Sequence, residues 1–581
     1  MPARQPPSFT QLLDQRASLQ ADRVAYQWLG EGEHELDRLT FGELRERSLG
    51  VAAALAVTSQ AGERALIALP QGLAFLAAFF GCLYAGVVPV PVSPPNRKRG
   101  IETTRAIALD SGARWLISSG TMLQQLVRDD DTLGALRALD LTSWPPAASN
   151  FTPHESRPDA IALVQYTSGS TRAPRGVAVT HANLAANHGQ VAACLNSDAS
   201  TIYVSWLPMF HDMGLGIALS AVWVGARTVL MSPRSFFQEP LRWLRIISRY
   251  RATASGGPNS AYALCLQRSD AAEREQLDLS SWRVAFNGSE PVHISTLHRF
   301  AEAFAAAGFQ PTALHPVYGL AEATLLAASE PPKQGPIVRH FSAKALEEDR
   351  LHDQDAADSG RARSLVSCGK PWPGTEIAIV DATSGAEVAP GHVGEIWIRG
   401  ASVATGYWNR EDETRATFNL KTMDGRTGFM RSGDLGVVVD GGLFVLGRQS
   451  DVLTIDGRTY YPHELETSSS TSDAALIPHA CAAITVHEGG IDKLVIIQEV
   501  SRTALRSLNA AAVTAAIRRV IAQHHRLEVQ AVVLLRPATL PRTTSGKVRR
   551  ASCREAFREG ALAPVYSWFE PPGAEVSVSA Q

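Results

Sequence analysis

The chemistry-bearing residues of this chain cluster in short, widely separated stretches suited to handling phosphate. The stretch YTSGSTRAPRG (Tyr166–Gly176) sets Thr167, Ser168, Gly169, Ser170 and Thr171 directly behind the apolar run IALVQ. Ser, Thr and Gly present side-chain and backbone donors without bulk, and Arg172 and Arg175 add positive charge, so such a loop can wrap polyphosphate oxygens. The Walker A pattern is absent, and composition alone also fits a surface turn. Far downstream, PRTTSGKVRR (541–550) places Lys547 on a Ser-Gly turn. A lysine on such a turn could offset negative charge that builds up at a phosphate. Read in isolation, GKVRR is an exposed basic run, Glu322 a solvated helix charge and Asp434 a turn former. His211 and Asp212 have no other His or Cys at a spacing that would complete a metal site.

The elements that must position these residues are legible in the patterning. The chain has 581 residues, 45% hydrophobic and 19% charged, with net charge −2, which describes an ordinary globular protein. That length allows about three or four domain-sized units. Near-neutral charge leaves no footprint for nucleic acid or an anionic membrane surface. The six scattered cysteines form no Cys-x-x-Cys pair, which suits a reducing cytoplasm. No signal-peptide core opens the chain. Gly72 to Val92 carries no charge, but Gly86, Pro89 and Pro91 break any helix there. With the preceding ALIALP it reads as strand, buried helix, strand, and no membrane span is expected.

From residue 40 to about 330, β-rich runs such as ALIALP, ARWLISS, AIALVQYTS, RTVLM and RVAFNGSE alternate with helical patterns. This alternation predicts an α/β body of two doubly wound subdomains with parallel sheets. Between about 365 and 448, short strands separated by SG and DGG turns predict a small antiparallel β subdomain. Beyond 450, CAAITV and KLVIIQEV read as a hairpin around Gly489-Gly490. A following helix carries Val513, Ile517, Val520 and Ile521 on one face, and VQAVVLL is a further strand. The expected division is an N-terminal domain (1–448), a hinge (449–452) and a compact, mobile C-terminal α+β domain (453–581).

Taken in order, the first loop, SWLPMFHDMGLG (205–216), NGSEPV (287–292), VYGLAEAT (317–324), RSGDLG (431–436), GRQSD (447–451) and PRTTSGKVRR resemble the adenylate-forming superfamily. That superfamily includes acyl-CoA synthetases, peptide-synthetase adenylation domains, luciferases and fatty acyl-AMP ligases. The resemblance spans nearly the whole chain and implies ATP and Mg²⁺ as cofactors. It implies that Thr167, Ser168, Gly169, Ser170 and Thr171 grip the β- and γ-phosphates. Tyr318 would give adenine a flat face and Ser289 and Glu290 would stand at its edge, with Gly319 and Ala321 also in the ATP/AMP site. Glu322 would hold the magnesium ion, with Thr167 beside it. Asp434 would accept the ribose hydroxyls, Arg448 would contact ribose and phosphate, and His211 would stand at the mouth of an acyl pocket. Lys547 would be the catalytic cation and Ser450 the hinge. Three positions depart from the commonest pattern: Arg172 replaces Gly, Arg175 replaces Lys, and Ser450 replaces Asp or Lys.

An amino-acid adenylation domain would carry Asp where His211 stands, so the resemblance favours a carboxylic acid without an α-amino group. QYTSGST, WLPMFHDMGL, SGGPNSAY and NGSEPV are most similar to the fatty acyl-AMP ligases. The polar stretch from about Val338 to Ser364 resembles the insertion associated in that branch with loss of CoA ligation. The implied partners are a fatty acid and the phosphopantetheine arm of an acyl carrier protein. A long-chain acyl-CoA synthetase and a non-catalytic adenylate-binding protein are the alternatives. Mere adenylate binding has no need of Lys547.

Overall fold

The computed structural model describes residues 7–95, 98–146, 150–167, 174–342, 345, 362–456, 458–488, 491–543 and 547–570. Most of the chain up to Val445 forms one compact unit, and Leu446 onward forms a second. No helix among the described residues is long and apolar enough to cross a membrane.

The first unit is layered α/β. Strand Arg64–Ile67 lies between Val88–Pro91 and Trp115–Ser118, with Arg137–Asp140 at the edge, all parallel. Helix Leu73–Ala85, the uncharged segment, is the crossover of this βαβ unit and is buried almost throughout. Gly86 ends it in the left-handed conformation that a Cβ disfavours.

The larger sheet has nine strands. Its parallel centre runs Leu314–Gly319, Val284–Asn287, Ala254–Gly257, Ile202–Ser205, Arg227–Leu230, Val24–Trp28. Antiparallel strands Leu326–Ser329 and Asp37–Thr40 flank it. Four- to six-residue apolar runs form these central strands because both faces are covered.

Two findings differ from expectation. Ile161–Thr167 is not part of a parallel sheet: it pairs antiparallel with Arg175–Thr180, which in turn pairs with Gly406–Tyr407. The stretch between Thr167 and Arg175 is too short for a parallel crossover, so it can only close a hairpin. In the second unit Val520 is half-buried, while Val513, Ile517 and Ile521 fill the core.

Antiparallel strands Thr375–Val380, Gly394–Gly400, Met430–Val439 and Gly442–Arg448 form a four-stranded sheet. Asp440 and Gly441 both have positive φ, the signature of a tight hairpin turn between the last two strands. The second unit holds a four-stranded sheet in the order Leu476–Glu488, Ile491–Val500, Val529–Leu535, Pro564–Phe569, with helix Ala510–His525 packed against it. Val338–Ser342 and Ala362–Val366, the ends of the expected insertion, pair as a two-stranded ribbon. Residues 343, 344 and 346–361 lie outside the described residues, as do Ser168, Gly169, Ser170, Thr171 and Arg172.

Candidate active site

Several of the singled-out motifs sit where the central sheet's strands end. Ser205 leads into PMFHD, Gly257 into PNSAY, Asn287 into GSEP and Gly319 into LAE, all at the carboxyl ends of adjacent strands. Ligands of open α/β sheets bind at that edge, because the loops leaving it splay apart and expose backbone groups.

The loops are fastened to one another. Glu290 accepts a hydrogen bond from the backbone N–H of Ser260, and Asn259 accepts one from His293 N at 3.1 Å, so NGSEPV and PNSAY are clamped together. Ser289 holds φ +75°, a conformation costly for a residue with a side chain. At Gly319 a Cβ would lie 1.7 Å from the carbonyl oxygen of Leu325, so only glycine allows the chain to double back there. Ala321 is buried and shares a short 3₁₀ turn with Glu322. His211 caps helix Asp212–Val224, with its ring beside Phe210. Gln165, on strand Ile161–Thr167 of the separate three-stranded sheet, donates to the carbonyl of Phe210 at 2.7 Å and fixes that loop.

Two pairs unite residues far apart in the chain. Tyr318 Oη donates to Asp434 Oδ2 at 2.7 Å, and Tyr407 Oη donates to Glu322 Oε1 at 2.8 Å. Burial, and then the nearby Glu322 charge, raise the Tyr407 pKa above its ordinary value, so it stays a donor. Arg175 lies over the Tyr407 ring, 5.4 Å from its centroid, and its Nε is 2.7 Å from Glu413. The departure from Lys at this position therefore has a structural use: a guanidinium can stack on a ring and pair with a carboxylate at once. Thr167 ends its strand paired with Arg175.

Tyr407 was not singled out in the sequence, nor was Glu395, which is buried at 1%. Glu395 accepts from Arg431 at 3.0 and 2.7 Å and from Gly433 N at 3.1 Å, holding the irregular RSGD segment of strand Met430–Val439 that presents Asp434. A charged residue inside the apolar strand GEIWI is the signal that could have found it.

A cavity opens beside these groups, lined at one end by Asp212, Ser289, Tyr318 and Gly319 and elsewhere by apolar side chains. A polar rim with an apolar interior suits a carboxylic acid whose head group reacts and whose tail is buried.

Residues 13–408 match the AMP-binding enzyme family, and 450–565 match the AMP domain of Disco-interacting protein 2-like proteins. The chain is 39% identical over 570 residues to the medium-chain-fatty-acid–[acyl-carrier-protein] ligase JamA of Moorena producens, covering 96% of each chain. It is 36% identical to the long-chain-fatty-acid–AMP ligase FadD32 of Mycolicibacterium smegmatis, covering 94% of this chain and 93% of that one. This chain belongs to the fatty acyl-AMP ligases. A fatty acyl-adenylate ligase from Legionella pneumophila, solved with acyl adenylate and pyrophosphate, superposes with TM-score 0.74 at 33% identity, covering 97% of this chain and 98% of that one. As an adenylate-forming ligase, the enzyme uses ATP.

In this ligase the remaining singled-out residues belong to the second unit. Arg448 ends strand Gly442–Arg448 and is exposed, as is Ser450 in the turn Gln449–Asp451. Lys547 is exposed, and its backbone exchanges bonds with Thr543: Lys547 N donates to Thr543 Oγ1 at 3.1 Å, and Thr543 N to Lys547 O at 2.8 Å. The lysine thus sits on a narrow, braced hairpin.

Proposed function

We propose that the enzyme condenses a fatty acid with ATP to a fatty acyl-adenylate and then passes the acyl group to the phosphopantetheine thiol of an acyl carrier protein. A fatty carboxylate oxygen attacks the α-phosphorus, the bond to pyrophosphate breaks, and acyl-AMP forms. In the second step the carrier thiol adds to the acyl carbon, AMP leaves, and the thiol proton passes to solvent. The observation that carries this reading is the cavity whose polar rim is Tyr318, Gly319 and Ser289 and whose interior is apolar, set at the strand ends where a nucleotide binds.

Residue roles follow from chemistry. The Tyr318 face supports adenine, with Ser289, Glu290, Gly319 and Ala321 shaping its edge. Asp434, one oxygen oriented by Tyr318, accepts ribose hydroxyls, and Arg448 contributes positive charge toward ribose and phosphate. Thr167 with Ser168, Gly169, Ser170 and Thr171 receives the leaving phosphates. His211 stands at the acyl entrance. Lys547 offsets the charge that concentrates on the α-phosphate during attack, and Ser450 is the pivot between the two steps.

Hard oxygen donors suit Mg²⁺, and Tyr407 orients the Glu322 carboxylate, so the residues fit this ion. Glu322 would hold it, with Thr167 near, and when bound it would neutralise phosphate charge.

Mass spectrometry of products from a fatty acid and MgATP, with either CoA or a holo-carrier protein, tests this function. Acyl-AMP and acyl-carrier are expected. Rapid conversion to acyl-CoA would make the enzyme a CoA synthetase.

A further inference from the structure

The apolar cavity ends on a polar cluster that the reaction does not use. Cys194, on helix His181–Cys194, lines the cavity, and its Sγ lies 3.2 Å from His315 Nε2 and 3.0 Å from Ser329 Oγ. Trp372 Nε1 donates to Ser329 Oγ at 2.6 Å. Cys194, His315 and Ser329 are buried at 1%, 3% and 2%.

Hydrogen accounting constrains the cluster. Indole N–H can only donate, so Ser329 accepts from Trp372 and is free to donate its own hydrogen to Cys194 sulfur. His315 Nε2 stands within reach of the same sulfur, and the imidazole tautomer sets which of the two donates. Burial raises the Cys194 pKa to about 12 and lowers that of His315 to about 4. Thiol and imidazole are therefore both neutral near pH 7, and the pair is not a thiolate nucleophile with its base.

Position completes the argument. Tyr318 and Gly319, at the nucleotide end of the cavity, close the strand Leu314–Gly319, which His315 nearly opens. Four residues of strand separate Gly319 from His315, a span of roughly 13 Å. Val317 lies between on the strand and lines the cavity, as do Ile217 and Leu325. An alkyl chain entering beside Tyr318 and following the strand meets Cys194 after a medium length, well short of a fully extended long chain.

We propose that Cys194, held by His315 and Ser329, is the floor of the acyl pocket: it sets the longest chain accepted and requires the chain's far end to be unsubstituted alkyl. The sulfur offers that end a polarizable, weakly polar surface. A terminal hydroxyl would lose water there and gain at best the weak hydrogen bond that sulfur can offer. This inference rests on the reading of the cavity as the acyl pocket.

The test uses non-hydrolysable acyl-sulfamoyl adenosines from hexanoyl to hexadecanoyl, with binding measured by calorimetry so that turnover plays no part. Wild type should show a sharp loss of affinity beyond a medium length. Cys194→Ala should shift that limit to longer chains, by about fourfold in affinity for the first excluded analogue, the worth of one buried methylene. Cys194→Leu should move the limit shorter. Both should bind the hexanoyl analogue as wild type does, which a merely structural loss would not allow. A terminally hydroxylated analogue should bind wild type at least tenfold more weakly than its alkyl counterpart. Identical length profiles in all three proteins, or equal loss at every length, would overturn the role of Cys194. If wild type binds these analogues no better than sulfamoyl adenosine alone, the acyl-pocket reading itself falls, and this inference with it.

Discussion

Tyr318 donates its hydroxyl hydrogen to Asp434 at 2.7 Å, and both residues are 7% exposed. The strand of the nine-stranded sheet that ends in Tyr318 and the antiparallel strand that carries Asp434 therefore meet in one buried hydrogen bond. The ring proposed to stack on the base and the carboxylate proposed to hold the ribose thus form one preorganised surface. Asp434→Ala should chiefly weaken ATP, because the ribose contact exists in ground and transition states alike. Two lost charge-assisted bonds correspond to about 2–4 kcal/mol. Tyr318→Phe keeps the ring and should cost only about 1 kcal/mol. The KM for ATP measures both, and an unchanged value for Asp434→Ala would leave Asp434 as a turn residue.

Glu322 is oriented by Tyr407, which Arg175 and Glu413 hold in turn. Tyr407→Phe preserves the ring and its stacking while freeing the carboxylate to rotate. The Mg²⁺ concentration needed for half-maximal pyrophosphate release should rise severalfold, and further in Glu322→Gln. MgATP-induced thermal stabilisation should shrink in the same order. Equal Mg²⁺ dependence in wild type and Glu322→Gln would remove the metal role of that carboxylate.

Acid sensitivity follows from buried imidazoles. Burial lowers the pKa values of His181, His188 and His315 from the ordinary 6.5 to about 4. Between those values the unfolded chain binds protons that the folded chain refuses. Stability is therefore fully present above pH 6.5 and is lost as pH falls toward 4. Each histidine should remove roughly 2 kcal/mol by pH 5. Denaturant unfolding at pH 7 and pH 5 measures this, and replacing His188 with Gln should flatten the slope. A stability unchanged between the two pH values would contradict it.

How far the sequence reaches differs between element and contact. Strands such as ALIALP and RVAFNGSE were legible because burial on both faces leaves uninterrupted apolar runs, and the DGG turn because it needs positive φ. The motifs fall on loops that leave the carboxyl ends of the central strands, since glycine and hydroxyl residues mark where strands end. Pairings were not legible. Nothing in the spacing of Tyr407 and Glu322, 85 residues apart, signals a hydrogen bond. The antiparallel hairpin around Thr167 was missed because an apolar run looks the same in either pairing direction, and only the short connection decides.

Arg550 shows the same limit in the second unit. It donates to Asp451 at 2.6 Å and to both oxygens of Glu466 at 2.7 Å, tying the segment after Ser450 to the helix that follows Lys547. Coulombic attraction and hydrogen bonds from Glu466 outweigh burial and keep it charged. Arg550→Ala leaves Glu466 buried beside no cation and should cost about 3–5 kcal/mol. Calorimetry of the full chain should show the transition assigned to the second unit falling. Arg550→Lys cannot reproduce the two-oxygen grip and should restore only part. A transition temperature unchanged in Arg550→Ala would mean that the network contributes nothing.

Lys547 decides whether the second unit takes part in adenylation. Its hairpin, braced through Thr543, keeps the side chain exposed and apart from the unit's core, so its loss should spare the fold. On the proposed roles ATP and fatty acid bind through other groups, so ground-state affinity should hold. What disappears is a charge needed when the carboxylate and the α-phosphate approach. Lys547→Ala should therefore lower the rate of pyrophosphate release by about 10²-fold or more while leaving ATP affinity nearly unchanged. Transfer from preformed acyl-AMP to a holo-carrier, which needs no such cation at phosphorus, should survive in the same variant. Pyrophosphate release within tenfold of wild type would take the catalytic role from Lys547. Equal loss of both half-reactions would point instead to a structural role for the hairpin.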